Sequence, residues 1–405
     1  TGTYLIDPTT ITIVDGARAP TDLDVNGSDG TILAADVDGS PGNTLAEGVI
    51  EGILAGTNIV LEAQNTITMN DISGGVGDVL LIPNNSNFTL RTTVAGGSIS
   101  FAQPGNAIQT QGTGTITLDS AGSINIGNLT TAGGNISLLA GTGVGSDITI
   151  RTLNAGAGAV AIDAPNGAII NGNPGGTNVV AATTLLEALG NDIGASVNPV
   201  ILGPTALSIR AGALAGANNA FLQGTGPIVI DDVRLAPGGA FTMGVNGAIT
   251  DVAGTGLLQA DSIGLFTVGA ASDIGSTGNP LNIAKSIGSG AAGISLSIAD
   301  VTGTGSGASN AFISGAANVF LGADPPGPAI AQVIVNSVFE LAAAGTITGG
   351  ATPLDLQAAD AKLVGTSIGG GAALTVSAPI LRLTSQGGVI NVDDSAAAAV
   401  TTLAR

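Results

Sequence analysis

Six oxygen-bearing residues crowd one stretch near the start of the chain: Asp22, Asp24, Asn26, Asp29, Asp36 and Asp38, within TDLDVNGSDGTILAADVDG (21–39). Calcium takes roughly six to eight oxygen ligands in a flexible loop, and alternating Asp and Asn among glycines supplies them. The run departs from an EF-hand or dockerin loop in two places. Ser28 and Asp29 stand where an Asp-Gly pair would fall, and no Glu closes the loop at the twelfth position. Two readings stand side by side, a calcium site that orders the loop and an acidic loop held in water. A second fragment, Asp71 to Asp78 around GGVGD, resembles half of a calcium-binding nonapeptide repeat. It is one imperfect copy of a motif that works in tandem, so an ordinary turn is expected there.

Two carboxylate pairs, Asp231–Asp232 and Asp393–Asp394, have the residue types of a glycosidase acid and base. Adjacent residues on a strand point to opposite faces, so neither pair converges on one substrate. Both are expected to end strands, Ile228–Ile230 and Val389–Val392, at turns. Lys285 and Lys362 are the only lysines and the seven arginines are scattered, so no groove pairs acids with bases in the linear pattern. Cys, His and Trp are absent. That removes thiol nucleophiles, disulfides, imidazole bases, the serine-type triad and the usual transition-metal sites. The expectation is a protein that is not an enzyme and requires no cofactor, with calcium the one candidate ion.

Phe221, Phe241, Phe266, Phe312, Phe320 and Phe339 recur near a common spacing. Stacking inside a core accounts for them, since a carbohydrate-binding stripe would want exposed Trp or Tyr. Thr115–Ile116–Thr117 hints at an ice-binding face, but no regular Thr-x-Thr rank accompanies it.

The elements that must position these residues show in an internal repeat. INIGNLTTAGGNISLLA (124–140) lies over ITIRTLNAGAGAVAIDA (148–164) at an offset of 24 residues without a gap. Ile124 falls on Ile148, Ile126 on Ile150, Leu129 on Leu153, Ile136 on Val160, Leu138 on Ile162 and Ala140 on Ala164. Each copy holds apolar-x-apolar triplets separated by Gly, Asn and Thr, which read as short strands and turns. Such a unit cannot bury its own apolar face and must stack on its neighbours. Further triplets occur at Ile59–Leu61, Ile67–Met69, Val79–Ile82, Phe88–Leu90, Ile99–Phe101 and Ile116–Leu118. Asn135, Asn166 and Asn246, each beside Gly, are expected at corners, where Asn tolerates a left-handed backbone.

The later half repeats over longer distances. Asn166–Ile169 recurs as Asn246–Ile249 after 80 residues, Asp192–Gly194 with Asn198–Pro199 as Asp273–Gly275 with Asn279–Pro280 after 81, and Asn219–Phe221 as Asn310–Phe312 after 91. A degenerate copy places Gly345–Ile347 and Leu356–Ala358 at 98 residues from Gly247–Ile249 and Leu258–Ala260. Drifting offsets mean loops of variable length in otherwise similar coils. The fold expected is all-β, a right-handed parallel β-helix or β-solenoid with coils of roughly 20–25 residues. Residues 1–43 read as an entering strand and the acidic loop, and 44–405 as continuous solenoid, regular to about residue 165. Roughly sixteen coils at about 4.8 Å each give a rod on the order of 75–80 Å long.

Composition agrees with this class. Apolar residues make up 44% of the 405, and a mean hydropathy of +0.49 is too high for a disordered chain. The 65 glycines have no every-third-residue spacing, which excludes collagen. Twenty-nine acids against nine bases give a net charge of −20. That disfavours nucleic acid, whose phosphates need Lys and Arg, and anionic membrane surfaces. No apolar run reaches the roughly 18 residues of a membrane-spanning helix, so membrane insertion is not expected. No basic segment with an apolar core opens the chain, so any signal peptide is expected to have been removed.

The opening LIDPTTITIV (5–14), the stretch LAEGVIEGILAGTNIVLEAQNTITMNDI (45–72) and the coil FTLRTTVAGGSISF (88–101) resemble filamentous-haemagglutinin-type exoproteins, long bacterial surface adhesins exported by two-partner secretion. TITLDSAGSINIGNLTTAGGNISLLA (115–140) is similar to that family's repeats. The resemblance implies a right-handed parallel β-helix, an extracellular or cell-surface address, and a role in adhesion or surface structure. It covers most of residues 1–165 and, more loosely, the repeats beyond. Partners implied are glycans or proteins of a host or neighbouring cell, or further copies of the chain, since SAAAAVTTLAR (395–405) offers no polar cap to a solenoid end. Two rivals remain, a carbohydrate-active β-helix enzyme and a calcium-dependent cell-surface binding module.

Overall fold

The structure, a computed structural model, describes residues 9–16, 31–32, 44–72, 79–212, 218–268, 272–300, 310–322, 332–349, 354–395 and 399–404. Asp22, Asp24, Asn26, Asp29, Asp36, Asp38 and Asp78 lie outside the described residues. The fold is an all-β parallel solenoid with one short helix, Glu47–Glu51, among the described residues. It divides into two compact units, Thr1–Asn191 and Asp192–Arg405.

In the first unit three parallel ladders form the sides of each coil. One runs through Thr10–Val14, Thr66–Met69, Ser98–Phe101, Ile124–Asn125, Ile148–Ile150 and Ile169–Asn171. Its inward residues stack as a column of isoleucines, Ile11, Ile67, Ile99, Ile124, Ile148 and Ile169, all buried. A second side stacks Leu80, Ile108, Leu129, Leu153 and Val179. The third side stacks two columns on strands Ile59–Ala63, Phe88–Thr92, Ile116–Asp119, Ile136–Leu139, Ala159–Ala164 and Thr183–Ala188. β-Branched and Leu side chains suit such stacks because each fills the pleat above an identical neighbour. Burying each contributes about 1.5–3 kcal/mol before the entropy of ordering the coil is charged against it. The hydrogen-bonded partners are those of the 24-residue alignment: Ile124 with Ile148, Leu129 with Leu153, Ile136 with Val160, Leu138 with Ile162. Coil length is less uniform outside this stretch, since Phe88 pairs back to Ile59 and forward to Ile116.

The second unit uses longer strands, such as Ile228–Leu235, Ala240–Asn246 and Ser262–Val268. Some carry two short strands on the next coil: Ile228–Leu235 pairs with both Ile249–Asp251 and Leu257–Gln259. This two-on-one stacking accounts for the looser repeat. The Asp-Ile-Gly repeats mark a sharp corner. Gly194 and Gly275 have φ of +66° and +64°, and a Cβ there would lie 2.5 and 2.4 Å from the carbonyl oxygens of Phe221 and Phe312. Only glycine fits both demands. Ile193 bridges to Ala220 and Ile274 to Ala311, so the repeated Asp-Ile-Gly and Asn-Ala-Phe segments are stacked on each other. A third corner of this kind, Ile368–Gly369, follows with φ +69°; it lacks the Asp and was not visible in the repeat pattern.

The phenylalanines do not form one ladder. Phe241 and Phe339 are fully buried, and Phe339 stacks between Ala311 and Ala361. A large ring between two small rungs keeps the column's volume constant. Phe221 and Phe266 are near-buried, while Phe312 and Phe320 sit half-exposed on the outer face.

Candidate functional site

Most described acids hold coil to coil. Asp192 Oδ1 accepts the backbone N–H of Asn219 at 2.7 Å, and Asn219 Oδ1 accepts that of Ala240 at 3.0 Å. Asp273, Asn310 and Val338 repeat the relay at 2.9 and 3.2 Å. In the first unit Asn87 Oδ1 accepts from Thr115 N and Asn135 Oδ1 from Ala159 N, both at 2.9 Å. Asn135 thus holds its corner through its side chain and not, as expected for Asn135, Asn166 and Asn246, through a left-handed backbone, which among the described non-glycine residues only Asn85 adopts. Asp251, buried, accepts Asn279 Nδ2 at 2.7 Å and Asn282 Nδ2 at 2.8 Å. Asp261 ties Gly238, Ser286 and Ser289 together. Asp355, also buried, accepts Thr375 N at 2.9 Å. Fixed amide donors make these oxygens structural caps rather than free bases.

One of the two carboxylate pairs sits differently from expectation. Asp231–Asp232 does not end a strand; it lies inside Ile228–Leu235, where the register shifts between Leu207 and Ser208. The bulge puts both acids outside the core. Asp231 accepts Ser208 Oγ at 2.9 Å, and Asp232 pairs with Arg234 at 2.8 Å. The exposed Arg234 is thereby held above its ordinary pKa. Asp393–Asp394 does end a strand, Val392–Asp394, paired to Leu374–Ser377.

The sequence pattern missed what the second unit assembles on its outer face. Leu281–Ala284, Ala311–Gly315, Val338–Ala343, Asp360–Gly365 and Ile380–Ser385 stack in register. One outward row reads Asn282, Ser314, Ala342, Val364 and Thr384; the next reads Phe312, Glu340, Lys362 and Arg382. Asn282, Ser314, Ala342 and Val364 of the first row floor an open trough of about 660 Å³, walled on one side by Gly254–Leu257. A cleft of about 170 Å³ joins it along Ser314, Ala342 and Val364, bordered by Phe312, Pro280, Glu340 and Lys362. Lys362 Nζ lies 3.1 Å from Glu340, and Arg382 donates to Asp360 at 2.5 Å. These residues are far apart in the chain, so acids and bases scattered in sequence meet on one face. Lys285, the other lysine, instead donates to the carbonyls of Ser289 and Ala291 at 3.0 and 3.1 Å and closes a turn.

Two features lie on the first unit's outer face. Asp163 stacks in register on Glu187; burial and this like charge raise its pKa above 3.8. Thr10 and Thr12 stack on Thr66 and Thr68, and these on Ser98 and Ser100. A three-rung hydroxyl-x-hydroxyl rank is therefore present, contrary to the linear reading, hidden because its members are distant in the chain. Among the described residues no group of three or more acids is placed to hold a metal ion, and no helix is long and apolar enough to cross a membrane. Compared with known proteins, the chain matches no protein family, no curated protein and no solved structure.

Proposed function

We propose that this chain is a non-enzymatic extracellular structural protein, a β-solenoid of filamentous-haemagglutinin type that serves a bacterial cell surface as adhesin or fibre subunit. The observation that carries the reading is where the acids are spent. Asp192, Asp251, Asp261, Asp273 and Asp355 all accept donors from a neighbouring coil or turn, which stiffens a repeat array rather than preparing a reaction. Its action is mechanical: parallel ladders resist bending, apolar columns hold each coil on the next, and variable turns face outward to glycans, proteins or further copies of the chain. Electron microscopy of the purified chain across concentration tests this. Extended rods or end-to-end filaments are expected; compact round particles at every concentration refute it.

One observation favours a second reading, a carbohydrate-active enzyme: Glu340 and Lys362 bring an acid and a base to the cleft that joins the trough, with the pair of Asp360 and Arg382 on the strand of Lys362 and the next. Release of new sugar ends from a polysaccharide panel, abolished by Glu340→Gln, would replace the first reading with this one.

A further inference from the structure

We propose that the trough across the outer face of the second unit is a binding site for a neutral, extended polysaccharide. The assignment rests on the adhesin reading and names the ligand class that adhesion would use. Ser314, Ala342 and Val364 lie on successive strands in register, so the floor repeats with every coil, about 4.8 Å at a time, and runs across the strands. Small side chains keep it open to a linear ligand lying along the solenoid.

Charge selects among linear ligands. Among the described residues the one cation lining the trough and its cleft, Lys362, is paired with Glu340, so the site offers little to a polyanion, and the chain's charge of −20 repels one. Backbone geometry argues against a peptide. Strands Ala311–Gly315, Val338–Ala343 and Asp360–Gly365 are each paired on both sides, which leaves no strand edge for β-augmentation. The remaining surface suits a sugar. The half-exposed ring of Phe312 sits beside Pro280 and offers an apolar platform for the C–H face of a pyranose, with the hydroxyls of Ser276, Thr277 and Ser314 around it for the sugar's own hydroxyls.

The test is native electrophoresis of the full chain through gels containing glucomannan, arabinoxylan or a β-1,3-glucan, with polygalacturonate as the polyanionic control. Retardation is expected in at least one neutral gel. Ala342→Arg, which lays a long side chain on the floor from an exposed position, should weaken it at least roughly tenfold, as should Phe312→Ala. Asp231→Asn, outside the trough, should leave it unchanged, and thermal melting confirms that each variant is folded. Retardation unaffected by Ala342→Arg, retardation confined to polygalacturonate, or none in any of the three neutral gels overturns the assignment. Micrographs of the same preparations report rods or filaments independently, so loss of the trough site and loss of the adhesin reading give different results.

Discussion

Replacing Gly275 by Ala tests whether the Asp-Ile-Gly corners are built as described. The residue sits at φ +64°, and an added Cβ would lie 2.4 Å from Phe312 O, 2.6 Å from Leu281 N and 3.2 Å from Pro280 Cα. All three neighbours are backbone, so relief requires moving a coil rather than turning a side chain. The left-handed conformation alone costs Ala about 1–2 kcal/mol. Opening two contacts by nearly an ångström each works against the bond from Phe312 N to Ile274 O at 2.8 Å, adding about 1–3 kcal/mol of packing strain. The expected loss is therefore about 2–5 kcal/mol. Gly278, in the same corner, is the control: nothing lies within 4 Å of its added Cβ, and its φ is outside the left-handed range. Gly278→Ala should change stability by no more than about 0.5 kcal/mol. Urea unfolding compares the two variants. Hydrogen exchange at Phe312 and Ile313 localises the damage, which matters because repeat arrays unfold in parts. Equal midpoints for the two variants, with Phe312 still protected in Gly275→Ala, would show that the corner is not locked by backbone contact.

Three further outcomes follow from particular residues. Phe339→Ala should cost about 3–5 kcal/mol in urea unfolding, toward the upper end because Ala311 and Ala361 above and below are too small to fill the cavity. Asp163 takes up its proton more readily folded than unfolded. Its contribution to stability is therefore present at low pH and is lost as pH rises from 3.8 through its raised folded value. Asp163→Asn should flatten that part of the stability profile and raise the melting temperature at neutral pH; an unchanged profile refutes the raised proton affinity that burial, and then Glu187, give Asp163. Calcium, if the acidic loop binds it, should raise the melting temperature, and Asp24→Ala with Asp29→Ala should abolish the rise; titration with EDTA as the blank decides it.

The coil was legible from residues 124–164 alone. There the spacing is constant, and alternation of Ile, Leu and Val with polar residues specifies both the inward face and the partner on the next coil. Gly194 and Gly275 were legible as corners for a local reason, since a left-handed backbone constrains residue type at a single position, a constraint that Asn135, Asn166 and Asn246 do not carry. Contacts across coils were a different matter. The bulge at Asp231 depends on the strand it pairs with, so strand alternation read from sequence put the two acids on opposite faces. The spacing of Phe312 to Phe339 predicts a core position for both, yet Phe339 lies over Ala311 and Phe312 over Glu340.

What this sequence determined by itself was the class of fold, because a short period-two apolar pattern repeated across Gly and Asn turns has few ways to bury its apolar face. What only the tertiary structure decided was which polar residues meet. In a parallel solenoid, neighbours on the outer face are one coil apart, and loops of unequal length make that distance different at every step. The Thr10, Thr66 and Ser98 rank and the cleft of Phe312, Glu340 and Lys362 are products of that register, set by the buried columns beneath them.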